Sequence, residues 1–197
     1  MLKIGITGNI GSGKTTVSKV FEVLGIPVFY ADEAAKNVMT ADEILIGEIK
    51  LAFGAASYFD DGSLNRKYIA NIVFNNQAQL AKLNSIVHPA VFRTFDNWVA
   101  NIKDAPYVMK EAALLFESGS YKMCDKTIMV DAPLELRIKR VMQRDGFSRE
   151  EILSREARQF TEEKKVAMAD YVIKNDDTQL VIPQVLGLHA QFLALSH

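Results

Sequence analysis

Gly8, Gly13, Lys14 and Thr15 stand at the spacing G-x-x-x-x-G-K-[ST] inside GITGNIGSGKTTVSK, residues 5–19. A triphosphate carries several negative charges that water solvates well, so a protein that binds one must offer oriented donors in place of water. Glycines let the backbone curl around the phosphates, and the N–H groups at the start of the following helix point into the loop. Lys14 then reaches the β and γ oxygens, and the Thr15 hydroxyl is a Mg²⁺ ligand. The stretch predicts a nucleoside triphosphate site built from Gly11, Ser12, Gly13, Lys14, Thr15 and Thr16. These glycines do not match the dinucleotide fingerprint G-x-G-x-x-G, which removes a Rossmann cofactor from the reading.

Phosphoryl transfer is mostly positioning and charge neutralisation, so the chain also needs a group that orients the acceptor and cations that cover the γ-phosphate. Asp32 follows the apolar run Val28-Phe29-Tyr30, where a carboxylate could accept the proton of an attacking hydroxyl. A lone Asp after a strand is equally well placed to cap a helix beginning near Glu33. Arg140 and Arg144, four residues apart, share one helix face. Asp145-Gly146 then breaks the helix, and Ser148-Arg-Glu-Glu151 has capping-box spacing for another that carries Arg149, Arg155 and Arg158. This describes a basic hairpin that excludes water from the transferring phosphoryl group, or alternatively a solvated face laced with Glu150, Glu151 and Glu156.

Those groups need a scaffold. Short apolar or β-branched runs at Lys3–Thr7, Pro27–Tyr30, Tyr107–Lys110, Thr127–Val130 and Tyr171–Ile173 alternate with helical patterns, which predicts an α/β fold with a parallel sheet flanked by helices. Val17, Val20, Phe21 and Leu24 form one apolar helical stripe after the glycine loop, closed by Gly25. Between the second and third runs lies a long helical insertion. Thr40-Ala-Asp-Glu43 reads as a capping box there, Asp60-Asp61-Gly62-Ser63 as a turn, and Pro89 as a first helical position. The expected organisation is one chain with a core of about residues 1–32, 104–135 and 165–197, a substrate-binding insertion of about 33–103, and a lid of about 136–164.

The 197 residues suffice for a sizeable core, and 23 Lys+Arg against 24 Asp+Glu leave no basic block for a nucleic-acid partner. Cys124, the only cysteine, excludes an internal disulfide or zinc cluster and fits a reducing cytoplasm. Leu2-Lys3-Ile4-Gly5-Ile6 reads as the first strand of a folded domain and not as a targeting peptide, and Val181 to Leu195 is too short and too polar to span a bilayer. No obligatory protein partner is evident.

Taken together, the chain resembles the dephospho-CoA kinases over essentially its full length. The resemblance rests on Ile6 to Thr15, Ala31-Asp32, Asp61-Gly-Ser-Leu-Asn-Arg66, His88-Pro89, Leu114-Leu-Phe-Glu117, Met142-Gln-Arg-Asp145 and Ala169 to Asn175. It implies a P-loop kinase with a helical CoA-binding insertion and a lid, which moves the γ-phosphate of ATP, with Mg²⁺, to the ribose 3′-hydroxyl of dephospho-CoA. It further implies Asp32 as base and Lys14 with Arg140 as the phosphoryl clamp. Arg144 and Asn175 are implied at the nucleotide, and Thr7, Lys36, Arg66, His88 and Leu115 at the acceptor substrate. Four positions depart from the family pattern: Asn9 replaces the commoner glycine, Thr15 a serine, Tyr30 an aspartate and Ala113 a proline. Another small-metabolite kinase stays open as an alternative. A GTP-dependent switch lacks its Asn-Lys-x-Asp motif here, since Lys174-Asn175-Asp176 has the wrong order.

Overall fold

Five strands, β1 (Leu2–Thr7), β2 (Val28–Tyr30), β3 (Tyr107–Glu111), β4 (Lys126–Asp131) and β5 (Tyr171–Lys174), form one sheet in the order β2-β3-β1-β4-β5 in a computed structural model that describes residues 1–74 and 76–196. Every pairing is parallel: Leu2 stands beside Tyr107, Ile4 beside Lys126, Val28 beside Met109 and Ile128 beside Tyr171. The five strands are the five runs expected from sequence, each shifted by a residue or two at its ends. Side chains two apart share a face of a strand. Ile4 and Ile6, Tyr107 and Met109, and Ile128 and Val130 therefore make one apolar layer. Two helices cover it, α1 (Lys14–Val23) through Val17 and Phe21, and the C-terminal helix (Val181–Leu195) through Val185, Leu188 and Phe192. Burying each of these large side chains contributes about 1.5–3 kcal/mol. Gly25, at φ 83°, ends α1: the Ile26 N–H donates to the Phe21 carbonyl at 3.0 Å, closing the last turn. Among the described residues, no helix is long and apolar enough to cross a membrane.

The chain divides into two compact units, an α/β unit of Met1–Tyr30 with Ile102–His197 and a helical unit of Ala31–Asn101. In the helical unit, α2 (Ala31–Ala41), α3 (Glu43–Phe53), α4 (Arg66–Val73) and α5 (Gln77–Asn101) bury Val38, Leu45, Ile49, Ile69, Val87, Val91 and Phe95. Two sequence expectations are corrected here. The cap of α3 is Asp42, whose carboxylate accepts from the Leu45 N–H at 3.0 Å, while Thr40 lies within α2 and bonds back to the Asn37 carbonyl. Pro89 does not start a helix but sits inside α5. A proline there costs about 3 kcal/mol, and the burial of Val87, Ala90, Val91 and Phe95 on either side of it offsets that cost. The Asp61–Ser63 turn forms as expected, with Gly62 at φ 81° and Asp61 accepting from the Ser63 N–H.

In the α/β unit, β4 leads into α6 (Leu134–Asp145), α7 (Arg149–Glu156) and α8 (Glu162–Met168), with the C-terminal helix becoming α9. Gly146, at φ 70°, ends α6, and Ser148 with Glu151 forms the expected capping box of α7.

Candidate active site

The glycine loop runs from the end of β1 into α1, and its shape is set by close neighbours. Gly11 and Gly13 hold φ of 80° and 90°, the left-handed region that side chains disfavour. A Cβ on Gly11 would lie 2.5 Å from the Arg137 carbonyl, and one on Gly13 would lie 2.3 Å from Asn175 Nδ2. Asn175 ties the turn after β5 to the loop by donating to the Ser12 carbonyl at 2.7 Å, while its own N–H donates to the Asp131 carbonyl at 2.8 Å. Ser12 Oγ is buried without a hydrogen-bond partner, a polar atom awaiting an acceptor or donor. Above the loop lies a cavity of about 320 Å³ lined by residues 9–16, Ala113, Leu114, Arg144, Arg155, Arg158 and Gln159. All six phosphate-site residues expected from sequence therefore line one space, together with three arginines.

Glu111 was not singled out as a functional residue from sequence. At the end of β3 it is nearly buried, and its two carboxylate oxygens take the Lys14 ammonium at 3.3 Å and the Thr15 hydroxyl at 3.1 Å. The carboxylate thus holds in place both the ammonium and the hydroxyl that the sequence pattern singles out. Thr15 Oγ1 and the Glu111 oxygens are hard donors of the type that suits Mg²⁺, so the residues present fit that ion.

The cations divide differently from expectation. Arg144 lines the cavity and is oriented by Asp145, which accepts from its Nε and Nη2 at 2.8 and 2.7 Å; that hydrogen-bonded pair raises the guanidinium pKa further. Arg140 does not line it. Its guanidinium donates to the Asn175 carbonyl at 3.0 Å and to Asp177 Oδ1 at 2.7 Å, where Asp177 adopts φ 65°. Arg140 is thus bonded at the turn after β5, beside the Asn175 side chain that bonds the loop.

Two further expectations meet the core. Leu115 is fully buried, its Cδ2 lying 2.8 Å from where a Cβ on Gly5 would sit, and its carbonyl accepts from Tyr121 N. Thr7 is likewise buried and donates to the Ala113 carbonyl at 3.3 Å. Both are packed and hydrogen-bonded within the α/β unit. The remaining acceptor-side residues lie in the helical unit. Asp32 and Lys36, both exposed, are one turn apart on α2; Arg66 opens α4, exposed; His88 stacks on Phe92 in α5 with ring centroids 6.2 Å apart. Asp32 is in the first turn of α2 and not before it, so it does not take the capping position. Cys124 packs against Gly5, and burial pushes its thiol up to about 11, so it is no nucleophile at neutral pH.

Below the loop runs a buried ionic network that sequence reasoning missed. Arg137, 2% exposed, donates to both oxygens of Glu156 at 2.8 and 2.9 Å, to Glu162 at 3.3 Å, and to the carbonyls of Ala132 and Ile10. Lys165 is fully buried, bonded to the Ala113 carbonyl at 3.0 Å and paired with Glu117 at 2.9 Å, and desolvation lowers its pKa. Glu162 stands beside Asp131, which Lys174 also contacts. Burial first, then the hydrogen bond and charge of Asp131, push Glu162 up to about 7. Burial works to raise Asp131 as well, but hydrogen bonds from Glu162 and Lys174 outweigh it and hold that carboxyl below its usual range. The raised Glu162 contributes stability in full below its ordinary value near 4.5 and loses it as pH climbs through about 7. Thermal melts at pH 5.5 and pH 8 should therefore show a fall for the wild type that is smaller in Glu162→Gln; equal falls in both proteins would mean that the two carboxyls share no proton.

A parallel sheet whose first strand enters a glycine loop, a Lys-Thr helix start and an arginine-lined cavity define a P-loop phosphotransferase. Known proteins narrow that class. The family profile of dephospho-CoA kinase matches residues 2–180. The dephospho-CoA kinase of Bacteroides fragilis (strain YCH46) is 39% identical over 189 residues, 96% of this chain and 92% of the relative. That of Salinibacter ruber is 42% identical over 180 residues, 90% of each. The solved dephospho-CoA kinase from Campylobacter jejuni superposes with a TM-score of 0.71 at 26% identity, covering 99% of this chain and 98% of that one. The chain belongs to the dephospho-CoA kinase family, and ATP is its co-substrate.

Proposed function

We propose that this enzyme phosphorylates the ribose 3′-hydroxyl of dephospho-CoA with residues of this chain in the following roles. The observation that carries the assignment is the cavity in which residues 9–16 meet Arg144, Arg155 and Arg158. The loop N–H groups and Lys14 bind the β and γ phosphates, and Arg144 covers the transferring group as its charge spreads over the equatorial oxygens. Arg140, fixed at Asn175 and Asp177, shapes the nucleotide side of the turn after β5. Asp32, exposed in the first turn of α2, takes the proton of the attacking hydroxyl. Lys36, Arg66 and His88 contact the acceptor, with the helical unit as its binding domain and residues of about 136–164 as the cover that excludes water. Thr15 and Glu111 would hold Mg²⁺, which would supply charge neutralisation of the phosphates. Residence in the cytoplasm accords with the use of ATP and a single cysteine.

The experiment is a coupled ADP-release assay with MgATP against dephospho-CoA, adenosine, a sugar panel and no acceptor, with product mass recorded. Turnover with dephospho-CoA alone and a gain of one phosphate on the ribose 3′-oxygen is the expected result. ADP release that follows another acceptor, or none, would remove the substrate and leave the nucleotide loop.

A further inference from the structure

The roles above leave one feature unused: the outer side of the phosphate loop is bonded to the arm formed by α7 and the turn after it. Asn9 is 2% exposed, and its amide directs its hydrogens at two acceptors of that arm, Glu156 Oε1 at 2.8 Å and the Phe160 carbonyl at 3.2 Å. Asn9 Oδ1, buried, accepts no hydrogen bond, so only the donor end of the amide is in use. The next residue repeats the link, since the Ile10 N–H donates to Gln159 Oε1 at 2.9 Å. Gln159 donates its other end to the Ala113 carbonyl at 3.3 Å. Glu156 is itself held by both terminal nitrogens of Arg137, so its charge is neutralised before any phosphate arrives. The Ile10 side chain packs into a small apolar cluster with Ile138, Val141 and Ile152, which joins the loop to α6 and α7 by burial as well.

We propose that Asn9, Glu156 and Gln159 are positioning residues for the nucleotide. None of them is assigned to the reacting atoms. They hold the arm so that Arg155 and Arg158 stand at a fixed place on the wall of the phosphate cavity, ordered before the ligand binds. An arm ordered in advance does not take its conformational entropy out of the binding free energy, and affinity rises accordingly. Because the bonds form one network between the same two segments, breaking any of them releases much of what the others hold.

The inference rests on the nucleotide reading of the loop, and the test separates the two. Asn9→Ala, Gln159→Leu, their double variant and Lys14→Ala are made in the full chain, with Gln159→Ala in reserve should the leucine variant not fold. MgADP affinity is measured by calorimetry, thermal midpoints by melting, and KM for each substrate by assay. Each single arm variant should weaken MgADP about 5–10-fold, the scale of one hydrogen bond. The double variant should lose no more than about 10-fold, because the network is shared, and KM for the acceptor should stay within about two-fold. Unchanged affinity, losses that multiply in the double variant, or a fall in melting temperature with affinity intact would each overturn the proposal. Should Lys14→Ala also bind MgADP like the wild type, the nucleotide reading itself falls; should Lys14→Ala alone lose affinity, only the positioning role falls.

Discussion

Lys14→Ala should lower kcat/KM for MgATP by about 10²–10³-fold, the loss that follows removal of one donor aimed at charge developing in a transition state. The Lys14 side chain is 20% exposed and its ammonium lies 3.3 Å from Glu111, so it has been brought to the loop at the expense of part of its hydration. Most of its stabilisation should appear as charge gathers on the transferring phosphoryl, and kcat should fall more than KM rises. The variant also leaves the buried Glu111 carboxylate with the Thr15 hydroxyl as its remaining named partner, and a lower melting temperature should accompany the kinetic loss. Steady-state kinetics at a temperature well below that midpoint separate the two effects. A kcat/KM near the wild-type value would remove Lys14 from the phosphates.

Asp32→Asn should cut kcat by about 10² or more, the contribution of a positioned general base, with MgATP affinity within about two-fold of wild type. The substitution keeps the shape of the side chain and removes only its ability to take a proton at neutral pH. Its place in the first turn of α2 gives a second contribution, the favourable interaction of a carboxylate with the helix N-terminus, worth about 0.3–1 kcal/mol. That contribution alters stability and leaves turnover alone. A variant that keeps half its kcat while melting earlier would assign Asp32 to the helix and move the search for the base elsewhere. Single-turnover measurements with saturating acceptor decide the matter, since they read the chemical step apart from product release.

The elements that were legible in the sequence are those set by local pattern. Ile4 and Ile6, or Ile128 and Val130, declare a strand by alternation, and Gly25 and Ser148 declare helix ends by conformational preference and side-chain capping. Pro89 misled because a local preference competes there with burial along a helix of 25 residues, and burial wins. Thr40 misled because its spacing to Glu43 matches a capping box, yet Asp42 has the better acceptor one residue before α3. The phosphate loop was legible because all its parts lie within eight positions. Glu111, Arg137, Glu156 and Gln159 were not, since each acts through contacts across long separations, such as the 147 residues between Asn9 and Glu156. The signal that existed was Asn9 itself. A bulky amide where the family commonly has glycine calls for a pair of acceptors, and only the folded chain says that Glu156 and Phe160 supply them.

The strand order also dictates how this chain must be assembled. Residues 31–101 form a compact unit from one uninterrupted stretch, so its contacts close over short loops and can form while synthesis continues. β1 has no such neighbour. Its two partners are β3 and β4, with Leu2 beside Tyr107 and Ile4 beside Lys126, and β2 reaches the sheet only through β3. The strand that leads into the phosphate loop therefore leaves the ribosome about 100 residues ahead of both its partners, its apolar residues Ile4 and Ile6 without their sheet until then. High sequence separation of this kind slows folding and prolongs the exposure of unpaired strand edges. Chaperone dependence in this enzyme should therefore be concentrated in the interval before β3 and β4 emerge.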